Sequence, residues 1–214
     1  MRRSIVPATI LILLIAHEAF AGGAVGFFGG VNFGNLSGDT PANTSYTSRT
    51  GFAAGVVGEL DLTEDVILQL APMYVQRGTN IEIKPANPDD PSEFSDLALD
   101  YFSLPVLVKL VAGNGTTYFS GGVDLGFLLD ATLTHDSQES DTSDVIKDID
   151  IAAVFAFGVM IDIGAPLLTL EARYTQSITN VAEPEMADDD SGLPVRFRST
   201  GFQLFAGILL PLGK

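Results

Sequence analysis

The stretch Ile149 to Ile163, IDIAAVFAFGVMIDI, separates bulk from smallness and polarity with a period of two along its whole length. Odd positions carry the bulk: Ile149, Ile151, Ala153, Phe155, Phe157, Val159, Ile161 and Ile163. Even positions read Asp150, Ala152, Val154, Ala156, Gly158, Met160 and Asp162. Successive side chains of a β-strand point to opposite faces, so this is a strand signature. A membrane-crossing helix would need roughly 20 apolar residues, which the acids interrupt, whereas a tilted strand crosses with about 9 to 11. A soluble sandwich would also show one bulky face, but its other face would hold Thr, Lys and Glu rather than Ala, Gly and Met. Small residues suit a narrow, crowded lumen. The stretch is expected to be a lipid-facing strand of a closed membrane barrel.

The same alternation recurs on both sides. From Gly23 to Leu36, Val25, Phe27, Val31 and Phe33 oppose Gly26, Gly30, Asn32 and Gly34. From Thr50 to Leu62, Phe52, Ala54, Val56, Leu60 and Leu62 face outward, against Gly51, Ala53, Gly55, Val57, Glu59 and Asp61. A third strand sends Val66, Leu68, Leu70, Pro72 and Tyr74 outward, with Gln69, Met73 and Arg77 inward. Proline cannot donate to a ladder, so Pro72 is read as a bulge or local break. The fourth, Leu97 to Val111, points Phe102, Leu104, Val106, Val108 and Leu110 outward and Tyr101, Ser103, Leu107 and Lys109 inward, and its Pro105 poses the same difficulty. After the Gly113-Asn114-Gly115 turn, strand five has Phe119, Val123, Leu125, Phe127 and Leu129 outward, with Tyr118, Ser120, Asp124 and Asp130 inward. The opening stretch is strand six, and Gly164-Ala165-Pro166 reverses it. Strand seven turns Leu168, Leu170, Ala172 and Tyr174 outward and Thr169, Glu171, Arg173 and Thr175 inward. Strand eight ends the chain with Phe202, Leu204, Ala206, Ile208, Leu210 and Leu212 outward.

The connections alternate between long, polar segments (37–49, 84–96, 134–147, 183–195) and short turns. Outer-membrane barrels have long external loops and short periplasmic turns. The expected fold is therefore all-β: an eight-stranded antiparallel up-and-down transmembrane barrel with both termini in the periplasm. Residues 1–21 are expected to be a cleavable signal peptide: Arg2 and Arg3 form a basic start, Ile5 to Ala16 an apolar core, and Ala19-Phe20-Ala21 a small-x-small cleavage site. Residues 22–214 then form the barrel domain.

Composition agrees with a membrane barrel. Hydrophobic residues make up 46% and charged ones only 18%, rich for an acidic soluble protein, and alternating segments spread that apolar surface through the chain. The net charge of −16, or −17 once Arg2, Arg3 and Glu18 are removed, disfavours nucleic acid, which is bound by Lys and Arg clusters. With no cysteine, disulfides, thiolate metal sites, a cysteine nucleophile and a lipoprotein anchor are excluded.

Four segments together carry a family resemblance: Thr50-Gly51-Phe52 with Gly55, Tyr101-Phe102-Ser103-Leu104-Pro105-Val106-Leu107-Val108-Lys109, Ser120-Gly121-Gly122 with Gly126, and Leu170-Glu171-Ala172-Arg173-Tyr174. In their order and spacing the chain resembles the PorT-like outer-membrane β-barrel proteins of Gram-negative bacteria. The resemblance implies an envelope barrel and little about activity. The C-terminus departs from the usual barrel assembly signal, which ends in an aromatic residue, because Phe205 replaces a polar residue and Gly213-Lys214 follow Leu212.

Chemistry is sparse. Counting from the short turns places Glu59, Lys109, Asp162, Glu171 and Arg173 at similar depth on inward faces. That charge cluster reads as a gate or ion path, or as a salt-bridged plug. The plug is favoured, because eight strands enclose a lumen just wide enough for side chains to fill. His135 is the one histidine beyond the signal segment, and Thr134-His135-Asp136-Ser137 holds the residue types of a hydrolase triad. Neighbours on one loop rarely achieve triad geometry, so a solvated loop histidine is favoured. The loop acids Asp89, Asp90, Glu93, Glu139, Asp141, Asp144, Glu183, Glu185, Asp188, Asp189 and Asp190 lack calcium-loop spacing and read as hydrated. Gly29-Gly30 and Gly121-Gly122 lie inside strands and read as packing positions, not phosphate cradles.

The expected function is that of a non-enzymatic, monomeric outer-membrane protein with a structural or surface-interaction role, without catalytic, cofactor or metal residues. Its surroundings would be outer-membrane lipid and lipopolysaccharide, with the insertion machinery and other envelope proteins as partners. The alternatives are an accessory component of a secretion or assembly system, a lipid-modifying barrel enzyme, and a soluble periplasmic barrel binding an apolar ligand.

Overall fold

The alternation observed in the sequence becomes, in the computed structural model, a closed barrel wall. The structure describes residues 22–38, 43–85, 91–113, 115–135, 138–143, 146–164, 166–180 and 197–212. Residues 1–21, expected to be a signal peptide, lie outside them. Among the described residues the strands are β1 (Gly23–Gly38), β2 (Thr44–Asp61), β3 (Val66–Leu70), β4 (Met73–Ile83), β5 (Glu93–Val111), β6 (Thr117–His135), β7 (Gln138–Asp141), β8 (Ile149–Asp162), β9 (Leu167–Ser177) and β10 (Phe197–Leu212). No helix among them is long and apolar enough to cross a membrane.

All pairings are antiparallel, and β1 closes the barrel on β10 from Gly23↔Leu212 to Gly38↔Phe197. Strands β3 and β4 are one crossing interrupted at Ala71-Pro72, because both pair with β2 on one side and β5 on the other. With β7 a short appendage to β6, eight crossings form the wall. The break suits both prolines. Pro105 stands in uninterrupted β5, opposite Ala71-Pro72, and its carbonyl accepts the Ala71 N–H at 3.1 Å. The donor it lacks would point at the gap between β3 and β4, so β5 runs through where the sequence suggested a second interruption.

The two faces separate as the period of two requires. Phe155 is 64% exposed while its neighbour Val154 is fully buried. Exposed Phe27, Phe52, Phe119, Phe155 and Phe202 continue the apolar belt around the wall. At its outer edge the outward positions turn polar, at Thr50, Gln76, Asp100, Gln176 and Thr200. There the hydroxyl of Tyr74 donates to Asp100 at 2.5 Å and that of Tyr174 to Gln176 at 3.0 Å. Rings with an apolar body and a polar tip belong at such a boundary.

Parity fails at two places. Between Ser48 and Ala53 the register of β2 against β4 shifts by one residue, so that Thr47 and Phe52 both face outward. Tyr101 pairs with Leu128 but Asp100 with Asp130, so β6 bulges between them. One extra residue reverses every later side chain. Asp130, expected inward, is therefore exposed, and Ala131 is buried instead.

Many strands exceed the roughly 9 to 11 residues a crossing needs, and the excess lies at the long-loop end. There residues 44–48, 79–83, 93–98, 132–135 and 138–141 pair in the order β2-β4-β5-β6-β7 as a blade above the belt. The segment 134–147, expected to be a polar loop, thus contains the end of β6 and all of β7. Ile146 in this segment is 2% exposed and returns to the core. The inner side of the blade packs Ile81, Leu97, Leu99 and Ala131 with Leu36, Phe197 and Ile146, closing the outer mouth with hydrocarbon.

Candidate functional site

The lumen is filled by two networks of charged side chains beneath that apolar closure. In the half nearer the short turns, Lys109 of β5 donates to Glu59 of β2 at 2.7 Å, and Arg173 donates to Glu171, its neighbour on the same face of β9, at 2.7 Å. Tyr118 joins the pairs: its hydroxyl donates to Glu171 at 3.0 Å, and the Lys109 ammonium lies 4.1 Å from its ring centroid. The Arg173 guanidinium lies 4.9 Å from the centre of the Phe205 ring, and Phe205 meets Phe28 edge to face at 5.1 Å. Two cations and two carboxylates leave this network neutral. All four residues are almost wholly buried.

Four of the five charges expected at this level are thus together. The fifth, Asp162, is exposed: it is the last residue of β8, and its carboxylate accepts the Gly164 N–H at 2.8 Å in the turn. Inward parity means nothing once a side chain has passed the rim of the barrel.

The second network went unrecognised in the sequence. Arg77 of β4 donates through Nη2 to Asp124 of β6 at 2.6 Å and through Nη1 to Asp150 of β8 at 2.8 Å. Ser103 donates to the other Asp124 oxygen, while Ser177 and Thr179 donate to Asp150 at 2.7 and 2.8 Å. Arg77 also lies 4.9 Å from the centre of the Tyr101 ring. Each carboxylate oxygen is satisfied, as buried anions require. The signal was present, since alternation put Arg77, Asp124 and Asp150 on inward faces, but depth across non-adjacent strands depends on register.

This packing leaves little free space. The cavity lined by Glu59, Gln69, Lys109, Tyr118, Glu171 and Arg173 measures about 20 Å³, room for about one water molecule. Gly158 helps fill the lumen by its smallness, because a Cβ there would overlap the Tyr118 ring. Gly30 faces the backbone of β10 so closely that a Cβ would overlap the Leu204 carbonyl. Gly29-Gly30 and Gly121-Gly122 all lie within strands.

At the outer rim, the Nδ1 of His135 lies 2.9 Å from the hydroxyl of Ser95, its register partner on β5. His135 is half-buried at the end of β6, not on a free loop. Asp136 and Ser137 lie outside the described residues. So do Asp89, Asp90, Asp144, Glu183, Glu185, Asp188, Asp189 and Asp190. Glu93, Glu139 and Asp141 are exposed on strands β5 and β7. Hydrogen bonds from Ser143 hold the Asp141 carboxyl below the usual carboxylate range. Among the described residues, no group of three or more His, Asp and Glu side chains is placed to hold a metal ion.

No curated protein matches the sequence. Among solved structures, the chain is similar to the attachment invasion locus protein Ail of Yersinia pestis, at 12% identity over 88% of this chain and 99% of that one, with a TM-score of 0.42. It is also similar to OprG of Pseudomonas aeruginosa, at 14% identity over 90% and 95% of the two chains, TM-score 0.44. For Neisserial surface protein A the figures are 14%, 87% and 96%, and 0.40. The profile of the family described as outer membrane protein beta-barrel domain matches residues 21–183, well over half of the chain. The chain therefore belongs to the outer membrane protein β-barrel domain family, and its place is the outer membrane.

Proposed function

We propose that this is a non-enzymatic, monomeric outer-membrane barrel with a structural or surface-interaction role, acting through its outer blade and acidic external loops once residues 1–21 are removed as a signal peptide. The observation that carries this reading is the filled lumen. Two charge networks and an apolar outer closure occupy the path a solute would take. Activity is thereby left to the blade above the belt and to the external loop segments. The motifs around Tyr101–Lys109 and Leu170–Tyr174 support a PorT-like member of the family. The partners proposed are lipopolysaccharide, the insertion machinery and other envelope proteins.

Reconstitution into planar bilayers tests the reading: the expected result is no steady conductance above that of the lipid. A stable ion-conducting state overturns it. On cells, replacing residues 138–143, which leaves the end of β6 and the core residue Ile146 in place, with a Gly-Ser linker is expected to change surface association while heat-shifted gel mobility still reports a folded barrel. Unchanged surface behaviour counts against the interaction role.

A second reading, a lipid-modifying enzyme, rests on the 2.9 Å approach of Ser95 to His135, a hydroxyl beside a base at the outer rim. Incubation with radiolabelled phospholipid and lipopolysaccharide separates the two. Product formation abolished by His135→Ala favours the enzyme.

A further inference from the structure

On the outward side of the blade, four side chains stand in one row across four strands. Thr47 pairs with Asn80, Asn80 with Asp96 and Asp96 with Thr134, with Glu82 and Phe94 paired in the next row outward. Together they line a groove of about 610 Å³, within the range of roughly 300 to 1,000 Å³ typical of small-molecule sites. The groove lies beyond the polar edge of the lipid belt at Asp100, so hydrocarbon does not cover it.

Two of its polar groups are held in place from behind. The Arg49 Nε donates to Asp96 at 2.7 Å, and the Asn80 amide nitrogen donates to the Ser48 carbonyl at 3.2 Å. Asn80 thereby presents its amide oxygen, and Asp96 keeps its second oxygen as an acceptor. Threonine hydroxyls end the row on both sides. Beside it stands the 65% exposed Phe94 ring. An oriented carboxylate, an amide oxygen, two hydroxyls and one exposed aromatic face match a hydroxyl-rich ring. Sugar hydroxyls donate to the acceptors and accept from the threonines, while a face of C–H groups packs on the phenyl ring. Glu82 and Asp96 against Arg49 leave the groove negative, which disfavours phosphate and sulfate.

We infer that this groove binds a neutral or amino sugar. The inference deepens the surface-interaction reading above and rests on it. Outside the outer membrane such a sugar comes either from lipopolysaccharide or from a soluble glycan.

The test is amide NMR of the ¹⁵N-labelled chain folded in detergent micelles, titrated with glucose, glucosamine and glucose-6-phosphate. Saturable shifts at the amides of Asn80, Phe94 and Asp96 are expected with glucose or glucosamine, with at least fivefold weaker binding of the phosphate ester. Phe94→Ala is expected to weaken binding at least fivefold, and Asp96→Asn likewise, while the belt amides of Phe157 and Ile161 keep their positions and so report intact folding. Absence of saturable shifts with all three sugars overturns the inference. So does tightest binding of glucose-6-phosphate, or indifference to both substitutions. Adding lipopolysaccharide to the micelles then identifies the source: the same amides shift if its sugars occupy the groove, and only free sugar shifts them if the ligand is soluble. The cell-surface comparison of the 138–143 replacement leaves Thr47, Asn80, Phe94, Asp96 and Thr134 in place and so reports on the broader reading separately; the sugar site can fail while that reading stands.

Discussion

Arg77 and Asp150 meet across the lumen at 2.8 Å, although β4 and β8 are separated in the wall by β5 and β6. The same guanidinium holds Asp124, so one cation ties three strands together through the barrel interior. Arg77→Met leaves two carboxylates buried without their cation. It is expected to cost about 3 to 5 kcal/mol, the usual penalty for breaking a buried pair. Urea unfolding in detergent, followed by gel mobility, measures it. Arg77→Met with Asp124→Leu and Asp150→Leu should recover much of the loss, and failure to do so would mean that the network contributes more than charge compensation.

The lower network makes a parallel prediction that separates its members from the residue excluded from it. Lys109→Met strands Glu59 and is expected to cost about 3 to 5 kcal/mol, with most of it recovered in Glu59→Leu/Lys109→Met. Asp162→Asn, at an exposed turn, should stay within about 0.5 kcal/mol. Equal losses at Lys109 and Asp162 would place Asp162 back among the luminal charges.

Neighbouring positions on β8 test the two faces of the wall. Phe157 is exposed in the belt, its ring 5.0 Å from that of Phe119, whereas Ala156 is buried. Phe157→Arg is expected to lower folding stability in lipid vesicles by about 2 to 4 kcal/mol if the site lies near the bilayer midplane. Ala156→Ser should be mild, and equal tolerance at the two positions would contradict the assignment of faces.

Gly158 gives a steric test. Gly158→Ala introduces a methyl group where the Tyr118 ring lies, and overpacking of this kind typically costs about 1 to 3 kcal/mol. In a Tyr118→Leu background the added cost should shrink, a coupling that a double-mutant cycle reads directly. An unchanged cost would indicate that backbone conformation, not the ring, is what requires glycine.

Which residues face lipid and which face inward was legible from the chain because strand periodicity is local. Phe155 and Val154 take opposite faces whatever their neighbours do, and the alternation of long and short connections counts the crossings. Pro72 was legible as a break for the same reason, since a missing N–H is a property of one residue. The pairing of Arg77 with Asp124 and Asp150, the bulge that turns Asp130 outward, and the passage of β5 through Pro105 were decided by the tertiary structure. Each depends on how far one strand is displaced against another, a quantity that side-chain alternation leaves open. The register brings Arg77 to two distant carboxylates, places Pro105 beside the gap in the third crossing, and leaves Asp162 in water beyond the rim.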